Sequence, residues 1–153
     1  MKKAIAIIVL GLFLSGCAGG NPLATPYKPR GMSGGYSEQQ VATDRYLVKF
    51  SGNGYISRSG VHNRAMLRAA EFTIEKGKDL FAIIHDDEQQ KEGGSYTTTI
   101  EIKMFNFTDY IIDETNLTKT EYKNRFEDFI SSEALTNYYI AEDTVTYIDK
   151  YRY

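Results

Sequence analysis

The chain has 153 residues, with 18 Lys and Arg against 20 Asp and Glu, a formal charge of −2. That balance excludes the basic excess by which nucleic acid or an anionic surface is commonly met, and a single cysteine excludes an intrachain disulfide or a thiolate metal cluster. The length suits one domain with a real core, rich in aromatics through twelve Tyr and eight Phe, with no Trp.

Met1-Lys2-Lys3, the apolar run Ala4 to Phe13 and then Leu14-Ser15-Gly16-Cys17 have the charged, apolar and small-residue zones of a secretory leader. The apolar run is about ten residues, well short of the ~20 that span a bilayer. Elsewhere a lone cysteine reads as a small buried hydrophobe or a reactive thiol. At this place Leu14 to Cys17 resembles the lipobox of bacterial lipoproteins. The resemblance implies a diacylglycerol on the Cys17 thiol, cleavage between Gly16 and Cys17, and acylation of the new amino group. Several acyl chains make such an anchor stable. Ala18, rather than Asp, follows the cysteine, which by analogy with sorting rules implies the outer membrane. Removal of residues 1–16 takes Lys2 and Lys3 and leaves 137 residues, with 16 basic against 20 acidic side chains, a charge of −4. No later apolar stretch is long enough to cross a bilayer, so the lipid is the expected anchor.

Residues 17–44 read as a lipidated N-terminus and tether. All three prolines and a Gly/Ser bias fall in this stretch, which predicts a flexible or extended linker whose later part docks at most through Tyr27 and Tyr36. A single domain is expected over 45–153. Tyr46, Val48 and Phe50 alternate with Arg45, Leu47 and Lys49, a strand pattern. Ser51-Gly52-Asn53-Gly54 breaks it, with both glycines assigned to a turn of positive φ. Ser57 or Ser59 is the expected N-cap of a helix. Val61, Ala65, Ala69 and Thr73 form its apolar row, beside Met66, Ala70 and Ile74. Arg64, Arg68, Glu71 and Glu75 lie towards the other side, paired at helical spacing. Gly77 is placed to end the helix.

Asp79 to His85 predicts a buried strand, and Asp86 to Gly94 a polar loop. Tyr96 to Phe107 predicts a longer alternating strand. Residues 108–116 read as a loop, with Tyr110-Ile111-Ile112 as a possible extension of the sheet. Thr118 and Glu121 have capping-box spacing, and Leu117 with Tyr122 that of a hydrophobic staple; Tyr122, Phe126, Phe129 and Ile130 follow as an apolar face. At the end, Thr144 to Ile148 suits a strand, but Ala141, Val145 and Ile148 also match a helix. The placement of Glu142, Asp143, Lys150 and Arg152 favours the helix. The expected architecture is a small α+β (α/β) domain: a βαβ unit, a further long strand, and one or two C-terminal helices on the sheet. If the first two strands pair in parallel, their crossover is right-handed.

Little points to chemistry. His85-Asp86-Asp87-Glu88 is the densest set of possible metal ligands, but adjacent residues on an extended chain diverge and the spacing of a calcium loop is missing. His62 and His85 lie in no nucleophile or metalloprotease motif. Ser51 to Gly54 lacks the lysine and spacing of a phosphate loop. No cofactor, metal site or catalytic residue is therefore expected. Tyr138, Tyr139, Tyr147, Tyr151 and Tyr153 are a candidate contact surface, because Tyr suits interfaces, although core packing explains them as well.

Gly35-Tyr36-Ser37, Asp44 to Gly54, Ser57-Arg58, Arg68 to Thr73, Gly77 and Phe81, together with the lipobox and Thr25-Pro26-Tyr27, resemble a family of small uncharacterised lipoproteins of Gram-negative bacteria. The likeness covers roughly half of the mature chain and weakens after residue 84. It implies a lipoprotein and transfers no functional residue. The leading expectation is an outer-membrane-anchored, non-enzymatic structural or accessory subunit of the cell envelope, facing the periplasm and meeting an envelope protein partner but no nucleic acid. The alternatives are a periplasmic module binding peptidoglycan or a small molecule and, further off, a hydrolase with a scattered site.

Overall fold

A computed structural model describes residues 21–109, 117–132, 137–149 and 152. The expected leader and the expected Gly16–Cys17 cleavage and lipidation site, the Tyr110 to Ile112 stretch, Tyr151 and Tyr153 lie outside the described residues, as do the side chains of Phe129 and Ile130. The protein is α+β. Five strands, β1 (Gly35–Ala42), β2 (Arg45–Ser51), β3 (Leu80–Gln90), β4 (Tyr96–Phe105) and β5 (Tyr138–Ile140), join three helices, α1 (Arg58–Glu75), α2 (Lys119–Ser132) and α3 (Ala141–Ile148). The sheet order is β1-β2-β4-β3-β5, and every neighbouring pair is antiparallel.

The expected βαβ unit is therefore split. β2 and β3 run in the same direction on either side of α1, but β4 lies between them. Connection length accounts for this. β3 and β4 are joined through Lys91–Ser95, where Gly93 and Gly94 take positive φ and the Lys91 amide donates to the Ser95 carbonyl at 2.8 Å. A short hairpin closes at a lower entropic cost than a crossover, so β4 folds onto β3 and its other edge receives β2.

The alternation in β2 holds. Tyr46, Val48 and Phe50 are buried beside Ile102, Ile100 and Thr98 of β4. They meet Val61, Ala65 and Ala69 of α1 in the main core, which α3 closes with Ala141 and Ile148. On the opposite face Leu80, Phe107 and Phe126 form a second, smaller core, with Phe105, Tyr122, Tyr138 and Ile140 packed against it. Each large apolar side chain buried in this way contributes about 1.5–3 kcal/mol.

Local signals end the helices as expected. Ser57 caps α1, its Oγ accepting from the Gly60 amide at 3.1 Å. At the other end the Gly77 amide donates to the Ile74 carbonyl and the Lys78 amide to the Thr73 carbonyl, at 2.9 and 3.0 Å, a Schellman motif with Gly77 at φ 68°. A Cβ at Gly77 meets nothing within 4 Å, so Gly77→Ala carries only the backbone penalty. It is expected to lower stability by about 1 kcal/mol, read as a shifted denaturation midpoint; an unchanged midpoint would show that the helix ends another way. At α2 the Glu121 amide donates to Thr118 Oγ1 and the Thr118 amide to Glu121 Oε2, the expected capping box. Hydrogen bonds from the Thr118 side chain and backbone hold the Glu121 carboxyl below the usual range.

Four expectations are corrected. The tether does not extend to residue 44. Thr25 is buried, Tyr27 and Tyr36 pack on the main core, and 35–42 is a strand paired along β2. The polar loop does not begin at Asp86, because β3 continues to Gln90. Gly52 and Gly54 do not take positive φ; a Cβ on Gly52 would stand 2.3 Å from Ile56 and 2.6 Å from Val61, so close packing is what requires glycine there. Finally, Arg64 and Arg68 are buried rather than exposed, because the segment taken for a tether covers their flank of α1.

Candidate functional site

Two polar clusters stand out, both built on α1. The first begins with a bulge. Along β3, Ile83 pairs with Ile102 and His85 with Glu101, so Ile84 is the extra residue and its side chain is exposed. A bulge reverses which residues face which side of a sheet. Phe81 and Ile83 face α1 before it, and Asp86 and Glu88, paired with Ile100 and Thr98, face α1 after it. His62 Nδ1 is thereby 3.3 Å from Glu88 and 3.6 Å from Asp86, while Arg58 Nε reaches Glu88 at 2.5 Å. His85 and Asp87 are carried to the other face. The dense acidic run is thus split in two. Among the described residues no group of three or more His, Cys, Asp or Glu side chains is arranged to hold a metal ion. Arg58 ties the first turn of α1 to Glu88 on the strand, a fastening of helix to sheet, while His62 Nδ1 stands beside the two carboxylates without a hydrogen bond to either.

The second cluster is centred on Arg68. Its guanidinium binds Glu38 of β1 through Nε, and Glu75 through both terminal nitrogens at 2.7 and 2.9 Å, with Glu71 at 3.7 Å. It also lies over the Tyr36 ring, 4.6 Å from the centroid. Burial alone would lower its pKa; the hydrogen bonds to Glu75 and Glu38 outweigh that and hold it above its ordinary value. Tyr27 donates from its hydroxyl to Glu71 at 2.5 Å, and Arg152 reaches Glu71 at 2.8 Å while lying over the Tyr27 ring. Burial, and then the bond to Glu71, push the Tyr27 hydroxyl far above its ordinary pKa. Tyr27, Tyr36, Arg68, Glu71, Val145 and Arg152 border an open cavity of about 460 Å³.

Asn53 completes the attachment of this N-terminal strap. Its Nδ2 donates to the Leu23 carbonyl at 2.7 Å, its Oδ1 accepts from the Thr25 amide at 3.2 Å, and its own amide donates to Thr25 Oγ1 at 2.8 Å. Arg64 donates to the Thr25 carbonyl and is lowered in pKa by its burial. Five residues missed as site residues in the sequence therefore matter most: Thr25, Glu38, Asn53, Arg64 and Arg68. Nothing local in the sequence marks the arginines, because the partners that bury them stand 39 and 30 residues away along the chain.

Of the five tyrosines expected as a contact surface, the three described, Tyr138, Tyr139 and Tyr147, do not share one face. Tyr138 and Tyr139 are successive residues of β5 and point to opposite faces. Tyr138 packs near Phe105 and Phe126, whereas Tyr139 stacks on Phe81 with centroids 5.2 Å apart. Tyr147 is exposed on α3. Compared with family models, curated proteins and solved structures, the chain matches none.

Proposed function

We propose that the protein is an outer-membrane-anchored lipoprotein, lipidated on Cys17, that acts as a non-enzymatic accessory or structural subunit of the cell envelope and meets a protein partner on its periplasmic side. The observation that carries this reading is the pairing of a lipobox at Leu14 to Cys17 with a strap, fastened by Asn53, Arg64 and Glu71, that begins four residues later. Such a chain holds its domain as a rigid body close to its anchor, as suits a subunit with a fixed place. Its charged side chains are largely occupied in fastening elements together: Arg68 with Glu38, Arg58 with Glu88, Lys123 with Asp143.

Cys17→Ser is expected to abolish fractionation with membranes and to leave an uncleaved or soluble form. Flotation of the envelope, with folding checked by circular dichroism, tests it, and a Cys17→Ser protein that still floats removes the lipid anchor. Density separation of the two membranes tests the outer-membrane assignment. A second reading, a module binding peptidoglycan or a small molecule, is favoured by the cavity at Arg68, which lies within the size range of ligand sites. A ligand that binds only the folded state raises the melting temperature, so a thermal-shift panel discriminates the two.

A further inference from the structure

We infer that the end of the domain carrying Leu23, Met32 and Tyr55 docks directly on the leaflet into which the Cys17 lipid inserts. The inference rests on the lipoprotein reading above. Asn21, the first described residue, is four residues from Cys17. Even fully extended, four residues reach at most about 14 Å. From Asn21 onward the chain turns on itself, the Ala24 amide donating to the Asn21 carbonyl at 2.9 Å, and its first bonds to the rest of the domain are at Leu23 and Thr25, which Asn53 grips. The six residues from Cys17 to Leu23 reach at most about 22 Å, so the domain has no long leash and the part of it nearest Asn21 stays within reach of the headgroups.

That part has the chemistry of an interfacial surface. Leu23 and Tyr55 are more than half exposed and Met32 is fully exposed. All three converge on Asn53. Leu23 is bound to it through its carbonyl, the Tyr55 amide donates to Asn53 Oδ1 at 3.2 Å, and the Met32 loop is tied in by the bond from Thr25 Oγ1 to the Ser33 carbonyl at 3.0 Å. Met32, Arg30 and Lys91 border a common open groove with Asn53. The exposed cations Arg30 and Lys91 stand on its border. Apolar side chains on a basic rim insert at the boundary between headgroups and acyl chains, where Tyr is also favoured. Four residues from a lipidated cysteine, the occupant that fits such a surface is the bilayer.

The chain has no Trp, so a single introduced indole reports its own depth. Leu23→Trp, Met32→Trp and Tyr55→Trp are placed at this end. Val41→Trp, at an exposed position by the β1–β2 turn at the far end of the strands, is the reference. Each lipidated protein is reconstituted in phosphatidylethanolamine/phosphatidylglycerol vesicles with brominated acyl chains. Mass spectrometry confirms the diacylglyceryl group, and melting curves confirm the fold. Severalfold stronger bromine quenching at 23, 32 and 55 than at 41 is expected, weakened by Arg30→Glu with Lys91→Glu. Equal quenching at all four positions on a protein that carries the lipid overturns the docking and leaves the lipoprotein reading intact. Absence of the lipid from Cys17 in the membrane-derived protein removes both.

Discussion

Ala69→Asp is expected to lower stability by about 4 kcal/mol, enough to leave a domain of ordinary stability partly unfolded. Ala69 is fully buried in the core that α1 makes with β2 and β4. A carboxylate there would lose its water, and the methyl-sized site has no room for it without displacing neighbours. The two costs separate by pH. Desolvation raises the folded-state pKa of the new carboxyl above its unfolded value. That part of the penalty is therefore absent below the unfolded pKa and grows as pH rises through the folded one. The steric part does not move. Ser59→Asp, at an exposed position in the first turn of the same helix, is the control. It should change stability by less than about 0.5 kcal/mol, helped by the positive helix end. Urea melts of both variants decide the matter, and equal midpoints would mean that the face of α1 is misassigned.

Arg68→Ala is expected to cost about 3 kcal/mol, because it removes the cation from among carboxylates that remain half-buried. Glu38 is the sufferer, its side chain 21% exposed; Glu71 keeps Arg152 and the Tyr27 hydroxyl, and Glu75, at 54%, recovers water and contributes little. The variant also strips the strap of its aromatic stack on Tyr36. A second readout follows from the geometry. Arg64 and Arg68 are both pins of the same segment, so Arg64→Asp, which sets a carboxylate against the Thr25 carbonyl that Arg64 now binds, should be damaging as well. That reverses the mild effect that an exposed Arg64 would have had. Both variants should expose the Arg30–Gly31 bond to trypsin faster than the parent, Lys28 being protected by the proline that follows it. Parental cleavage rates with a lowered melting temperature would mean that these arginines stabilise the core without holding the strap.

What was legible in the sequence is what short-range chemistry decides. The Thr118–Glu121 box, the Ser57 cap, the Gly77 terminus and the alternation of Tyr46, Val48 and Phe50 each depend on residues within a few positions of one another, and each is present in the fold. α3 is a helix, as its charge placement favoured. What was not legible depends on partners far along the chain. β1 reads Gly-Tyr-Ser-Glu-Gln-Gln-Val-Ala, too polar to announce a strand, and it exists because β2 offers a free edge and Arg68 a partner for Glu38. Taking that segment for a tether then hid the second site. With nothing to cover their flank of α1, Arg64 and Arg68 could only be read as solvated. The bulge at Ile84 was hidden for a related reason. A one-residue slip in pairing is set by β4, and it alone decides that Asp86 and Glu88, rather than His85 and Asp87, meet His62.

If the chain is anchored as proposed, the position of β1 at the border of the sheet bears on how many copies can share a membrane. Anchoring confines molecules to a plane and raises their encounter rate, and an open strand border invites neighbours to add on edge to edge. Here the two borders are poor templates. β5 is only three residues long. β1 meets the strap at Pro29, bridged to Tyr36 and lacking an amide hydrogen, and its far end is bent by an irregularity between Gln40 and Ala42, where the Gln40 side chain turns back on the Ala42 carbonyl. The strap thus guards the β1 border against edge-to-edge addition, so a chain truncated to begin at Gly35 would be expected to lose solubility before it loses its sheet.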